Sequence, residues 1–139
     1  MGTYQEIAHT ADYALLLRGA DLRDLVQAAG EGFVALVSDE RRPKPVRTEE
    51  YEVTAEDAAV LVMRAVRELL YYVEEGELPV AFEALSAGDR PATARLRVGL
   101  VPLAAARGHL QRAIKAVTYH DLQMRSDDQG LNLTLTFDT

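Results

Sequence analysis

At 139 residues the chain has the length of one domain. Apolar residues make up 48% and charged residues 27%, ordinary globular usage, and the absence of cysteine excludes disulfides and thiolate metal sites. A net charge of −7 argues against charge-driven nucleic-acid binding, which needs clustered Lys and Arg to displace phosphate counterions.

The opening stretch, Met1 to Glu6, has neither a basic n-region nor an apolar h-region, and no later window is long and apolar enough for a bilayer. These features predict a cytoplasmic protein with no membrane association. From Tyr13 to Arg18 the odd positions are large and apolar, the pattern of a half-buried strand. Gly19-Ala20 breaks it, and Asp21 stands where a helix N-cap belongs, with Asp24 three residues on. A helix over about Leu22 to Val37 follows, with Leu22, Leu25, Val26, Ala29, Phe33, Leu36 and Val37 on one stripe. Gly30 and Gly32 each weaken such a helix by about 1 kcal/mol relative to Ala, so their presence points to close packing against a neighbour, with a kink as the alternative.

Arg41 to Pro45, with Arg41, Arg42 and Lys44, is a proline-broken basic loop of the solvated kind. A short strand is expected over Glu49 to Val53, with Tyr51 and Val53 on one face. Thr54 to Asp57 then supplies a hydroxyl cap and first-turn acids for a second helix. That helix carries Ala58, Leu61, Val62, Ala65, Val66, Leu69 and Val73, and stops at Gly76. Val80 to Leu85 and Thr93 to Val101 are strand candidates, Pro102 closes the second, and Leu103 to Arg107 is ambiguous. Last comes a hairpin: Ala113 to Arg125, a turn at Ser126 to Gly130, and a return over Leu131 to Phe137 with the odd positions inward. The reading is α+β: a single compact domain over residues 1–139, two amphipathic helices on a mostly antiparallel β-sheet, and a C-terminal β-hairpin.

Little in the chain suits covalent chemistry. Ser38, Ser86 and Ser126 occupy no nucleophile-elbow pattern, and Gly30-Glu31-Gly32 lies inside a helix instead of opening one. Three scattered histidines without cysteine make a poor zinc set. An oxygen-ligand metal site is the remaining option. Asp138 would lie one residue from a terminal carboxylate at Thr139, and both would converge with Asp12 if the last strand folds back beside it. Mg²⁺, Mn²⁺ and Ca²⁺ prefer such ligands. Spacing alone favours a solvated strand end at Asp138, and it allows a packed histidine at His9 and a turn cap at Asp12.

Taken together, the segments resemble the archease family. Ile7-Ala8-His9-Thr10-Ala11-Asp12 is similar to its opening signature, Ile114-Lys115-Ala116-Val117-Thr118-Tyr119-His120 to its most distinctive internal motif, and Phe137-Asp138 to its usual finish. Asp21 to Asp39 and Glu68-Leu69-Leu70-Tyr71 match its two helices in order. The resemblance implies a protein cofactor with no catalytic residues of its own. Its partner would be a GTP-dependent tRNA-splicing RNA ligase, which joins ends bearing a 2′,3′-cyclic phosphate or 3′-phosphate to a 5′-hydroxyl. The cofactor would promote metal-dependent guanylylation of that ligase and its repeated turnover. It further implies a divalent cation (Ca, Mg or Mn) held by Asp12, Asp138 and a Thr139 oxygen, with His9, Lys115 and His120 supporting that tip or facing the partner. Departures from the family pattern fall at Arg64, Ala65 and Arg67 in the second helix, at Ala113, and at Thr139.

Two other readings make distinct demands. A small metal-dependent enzyme would use Asp12, Asp138, His9 and His120 gathered in a concave pocket. A general chaperone or RNA-handling adaptor would present an exposed apolar patch or a basic stripe.

Overall fold

The two segments with the strongest helical periodicity form the two helices, and each starts at an aspartate. A computed structural model describes residues 2–8, 12–119 and 122–139, except for the side chains of Ala8 and Asp12. Helix α1 (Leu22–Val37) begins where the Asp21 carboxylate accepts the Asp24 N–H at 2.8 Å. Helix α2 (Ala58–Glu74) begins at Asp57, whose carboxylate accepts the Val60 N–H at 2.9 Å. The expected cap at Thr54 is corrected here. Thr54 pairs with Thr93 in a strand ladder, so its backbone is committed to extended structure.

The strands are β1 (Thr3–Ala8), β2 (Asp12–Gly19), β3 (Arg47–Ala55), β4 (Glu77–Asp89), β5 (Ala92–Pro102), β6 (Ala116–Thr118), β7 (Arg125–Asp127) and β8 (Gly130–Asp138). They build two antiparallel sheets. One has the order β1-β2-β8-β6, with β7 also paired to β8; the other has the order β3-β5-β4. Leu103–Ala105 and Arg107–His109 are 3-10 turns, which resolves the ambiguous stretch after Pro102.

The helices and the two sheets share one core. Tyr13, Leu15 and Leu17 of β2 pair with Phe137, Leu135 and Leu133 of β8, and these leucines and Phe137 are buried. Phe33 of α1 meets Phe137 at 6.0 Å between ring centroids. Both helix glycines sit at close approaches. A methyl group at Gly30 would overlap the Phe82 ring, and one at Gly32 would lie 2.9 Å from Leu15 Cδ1. Gln27 of α1 reaches β4 with both ends of its amide, accepting the Ala84 N–H at 2.6 Å and donating to Phe82 O at 3.0 Å. Arg64, one of the departures in α2, donates to Thr54 O at 2.8 Å and so ties that helix to the end of β3.

Two expectations shift. Thr136, assigned outward, is buried, because β8 is central and Thr136 sits between Ala14 of β2 and Thr118 of β6. The ascending arm of the hairpin is not one strand. Among the described residues it consists of the short β6 and β7, both laid on β8, and the tip turns at Gly130 with φ of +118°. Strand β1, with Tyr4 exposed and Gln5 and Glu6 on an edge, is an addition that sequence patterning did not supply.

Candidate functional site

An antiparallel pair brings the start of one strand beside the end of the other. β2 starts at Asp12 and β8 ends at Asp138, and the register makes these two residues direct partners. Across β8 on its other side, Asp138 pairs with Ala116 of β6, and the Lys115 N–H donates to Asp138 O at 2.8 Å. Directly opposed residues on antiparallel strands stand about 4.5–5.5 Å apart at Cα or Cβ. Two aspartates at opposite ends of the sequence thus become neighbours through the eight-pair ladder between β2 and β8. The row runs Asp12, Asp138, Ala116 across three strands, with Thr139 next along the chain.

Asp138, Thr139 and Lys115 are exposed. β1 ends at Ala8 opposite Tyr13, which brings the C-terminal end of β1 to the same edge of the sheet. His9, His120 and the Asp12 side chain, all named as candidates, lie outside the described residues. Among the described residues, no group of three or more His, Cys, Asp or Glu side chains gathers as a metal cage. The donor chemistry of this row nevertheless suits a hard cation. Carboxylate oxygens are the ligands Ca²⁺, Mg²⁺ and Mn²⁺ take, and carboxylates on opposed residues repel unless a cation lies between them.

The row rests on a packed base. Phe137, the residue before Asp138, is fully buried against Phe33. Arg112 braces the adjoining strand: its guanidinium lies 4.7 Å from the centroid of the Tyr13 ring and 2.9 Å from Glu6 Oε1. The segment that carries Arg112 is itself pinned to the end of α1, where Val37 O accepts the Gln111 N–H at 2.7 Å and Asp39 pairs with His109 Nδ1 at 3.0 Å. That hydrogen bond, more than opposing burial, holds the Asp39 carboxyl below its usual value. Sequence reasoning did not single out Arg112. A lone arginine in an irregular segment gives no periodic signal, and its ring partner is distant in sequence.

Comparison with known proteins follows the same outline. The profile of the "Archease protein family (MTH1598/TM1083)" matches residues 4–139. The fold is similar to the solution structure of Methanobacterium thermoautotrophicum protein 1598, at 20% identity over 98% of both chains with a TM-score of 0.76. It is also similar to the crystal structure of an archease from Thermotoga maritima, at 19% identity over 97% of this chain and 96% of that one, with a TM-score of 0.66. No curated protein matches significantly.

Proposed function

The chain belongs to the archease family, and from that premise we propose that it is a non-catalytic protein cofactor of a GTP-dependent tRNA-splicing RNA ligase, promoting guanylylation and repeated turnover through the acidic end of its first sheet. The observation that carries this is the register of Asp12 against Asp138. Like charges directly opposed across a sheet are disfavoured, so a row built this way makes physical sense when it meets positive charge in use.

In this reading Asp12, Asp138 and a Thr139 oxygen hold a divalent cation. When bound, that cation supplies positive charge to nucleotide phosphates. The protein's own contribution is position. The Lys115 N–H fixes the backbone of Asp138 at 2.8 Å, and Phe137 anchors the end of β8 in the core. The row can therefore enter another protein's site without reorganising. His9, Lys115 and His120 then serve as supporting or partner-facing groups. A net charge of −7 supports contact with a protein partner over direct RNA binding. The Thermotoga maritima protein is described as a possible chaperone; for this chain the ligase-assisting role is a specific form of that helper role.

The test is ligase guanylylation with GTP and Mg²⁺ or Mn²⁺, with and without this protein at substoichiometric amounts. The expected result is a rate increase that Asp12→Ala or Asp138→Ala abolishes while the fold is retained. An unchanged rate with wild-type protein would contradict the partner, and full activation by the doubly substituted protein would contradict the role of the acidic row.

A further inference from the structure

Helix α2 ends against its own electrostatics. The C-terminus of a helix carries partial negative charge from its last carbonyls, and basic side chains are favoured there. The last turn of α2 has none. Instead Glu74 and Glu75 close it, after Tyr71 and Tyr72 and with Glu68 one turn earlier. Glu68, Tyr71, Tyr72 and Glu75 are spaced i, i+3, i+4 and i+7, which puts them along one helical face. With Glu74 they line a cleft of about 270 Å³.

The two rings differ in how they are held. Tyr72 is fixed: its hydroxyl donates to Glu49 Oε1 at 3.2 Å, and its ring meets Tyr51 edge-on at 6.1 Å between centroids. Tyr71 is 44% exposed and presents its ring to solvent. Burial, and then the neighbouring carboxylate of Glu68, push the Tyr72 hydroxyl above its usual value; Arg47 opposes and Glu75 adds to the shift. Arg47, the one basic group among those acting on Tyr72, is already paired with Glu49 and with Glu77 at 2.8 Å. The cleft thus sets three carboxylates beside a preset aromatic wall.

We infer that this cleft is a docking site for an arginine side chain on a basic segment of a partner protein. Its volume lies just below the roughly 300–1,000 Å³ of small-molecule sites, which suits one long side chain more than a cofactor. A guanidinium stacks on a tyrosine face while its N–H fork bonds carboxylates on either side, and the helix C-terminus favours the same charge. Nucleic acid is excluded by the three glutamates, which would repel its phosphates. The cleft shares no residue with the Asp12–Asp138 row, so the inference does not depend on the function proposed above.

The test is a titration of ¹⁵N-labelled protein with the amidated peptide acetyl-Gly-Arg-Gly-Arg-Gly, against the same peptide carrying citrulline, a neutral isostere, at both arginines. The expected result is saturable shifts centred on residues 68–76 for the arginine peptide only. Affinity should fall about tenfold in Tyr71→Ala and in Glu68→Gln. It should stay unchanged in Glu50→Gln, a surface carboxylate outside the cleft. Shifts spread evenly over the acidic surface, equal binding of the citrulline peptide, or undiminished binding by Tyr71→Ala and Glu68→Gln would each overturn it.

Discussion

Across the second sheet, Glu50 of β3, Arg97 of β5 and Glu83 of β4 form one row, whereas the end row of the first sheet is Asp12, Asp138 and Ala116. In the second sheet the cation sits between two anions. Arg97 reaches Glu50 and Glu83 at 2.9 Å each, Arg95 reaches Glu50 at 3.3 Å, and the Glu50 hydrogen bond is the first cause raising the Arg97 guanidinium above its usual value. Opposite charges facing each other across strands stabilise a sheet, and like charges weaken it. One sheet is thus finished electrostatically by its own side chains. The other sets two aspartates opposite each other in its end row, an unfavourable pairing for a sheet, and the proposed function rests on that difference.

The largest expected effect breaks the comparison where the two regions depend on one core. Phe137→Ala removes a fully buried ring beside Asp138 and should destabilise by about 3–5 kcal/mol, measured by urea denaturation. It should also lower ligase activation below what the unfolded fraction accounts for, because the end of β8 loses its anchor. A smaller effect concerns the second region alone. Tyr51 of β3 is half-buried against α2 and donates to Ala65 O at 3.0 Å, and desolvation followed by Tyr72 and Glu68 pushes its hydroxyl far above the usual 10. A raised folded value means that this stability is present below pH 10 and is lost as pH rises above it, because the unfolded chain releases the proton first. Tyr51→Phe should therefore be less stable by about 1 kcal/mol at neutral pH, yet decline less steeply in alkali, as followed by circular dichroism from pH 8 to 11. The smallest effect sharpens the contrast of charges. Arg97→Glu turns the row into three like charges and should lower the melting temperature slightly at low salt, less so at high salt, with ligase activation unchanged.

How far the sequence foretold all this depends on the range of the interactions. Both helices, the buried face of β2 and the inward alternation of β8 were legible, because periodicity and local caps specify them within a few turns. Gly30 and Gly32 announced close packing correctly, although nothing local could name Phe82 and Leu15 as their neighbours. β1 was missed because an exposed edge strand shows weak alternation. The cap of α2 was misplaced because Thr54 and Asp57 are both competent, and only the ladder with β5 decides between them. At the site, residue types suggested Asp12 and Asp138 as carboxylates that a folded-back last strand would bring together, and the family resemblance pointed to the same pair, but the pairing itself depends on a long-range register. Lys115 meets Asp138 through its backbone N–H, an interaction no side-chain pattern encodes. Arg112 holds Tyr13 and Glu6 from an irregular segment, and for the same reason left no signal.

The central claim is that the Asp12–Asp138 row serves a partner and not the fold. The most direct measurement pairs metal-free thermal unfolding with ligase guanylylation for the double variant Asp12→Asn, Asp138→Asn. The account predicts a melting temperature equal to or above that of the wild type, since a like-charge pair is removed, together with loss of activation. A lowered melting temperature with activation intact would contradict it, and would make the row part of the scaffold.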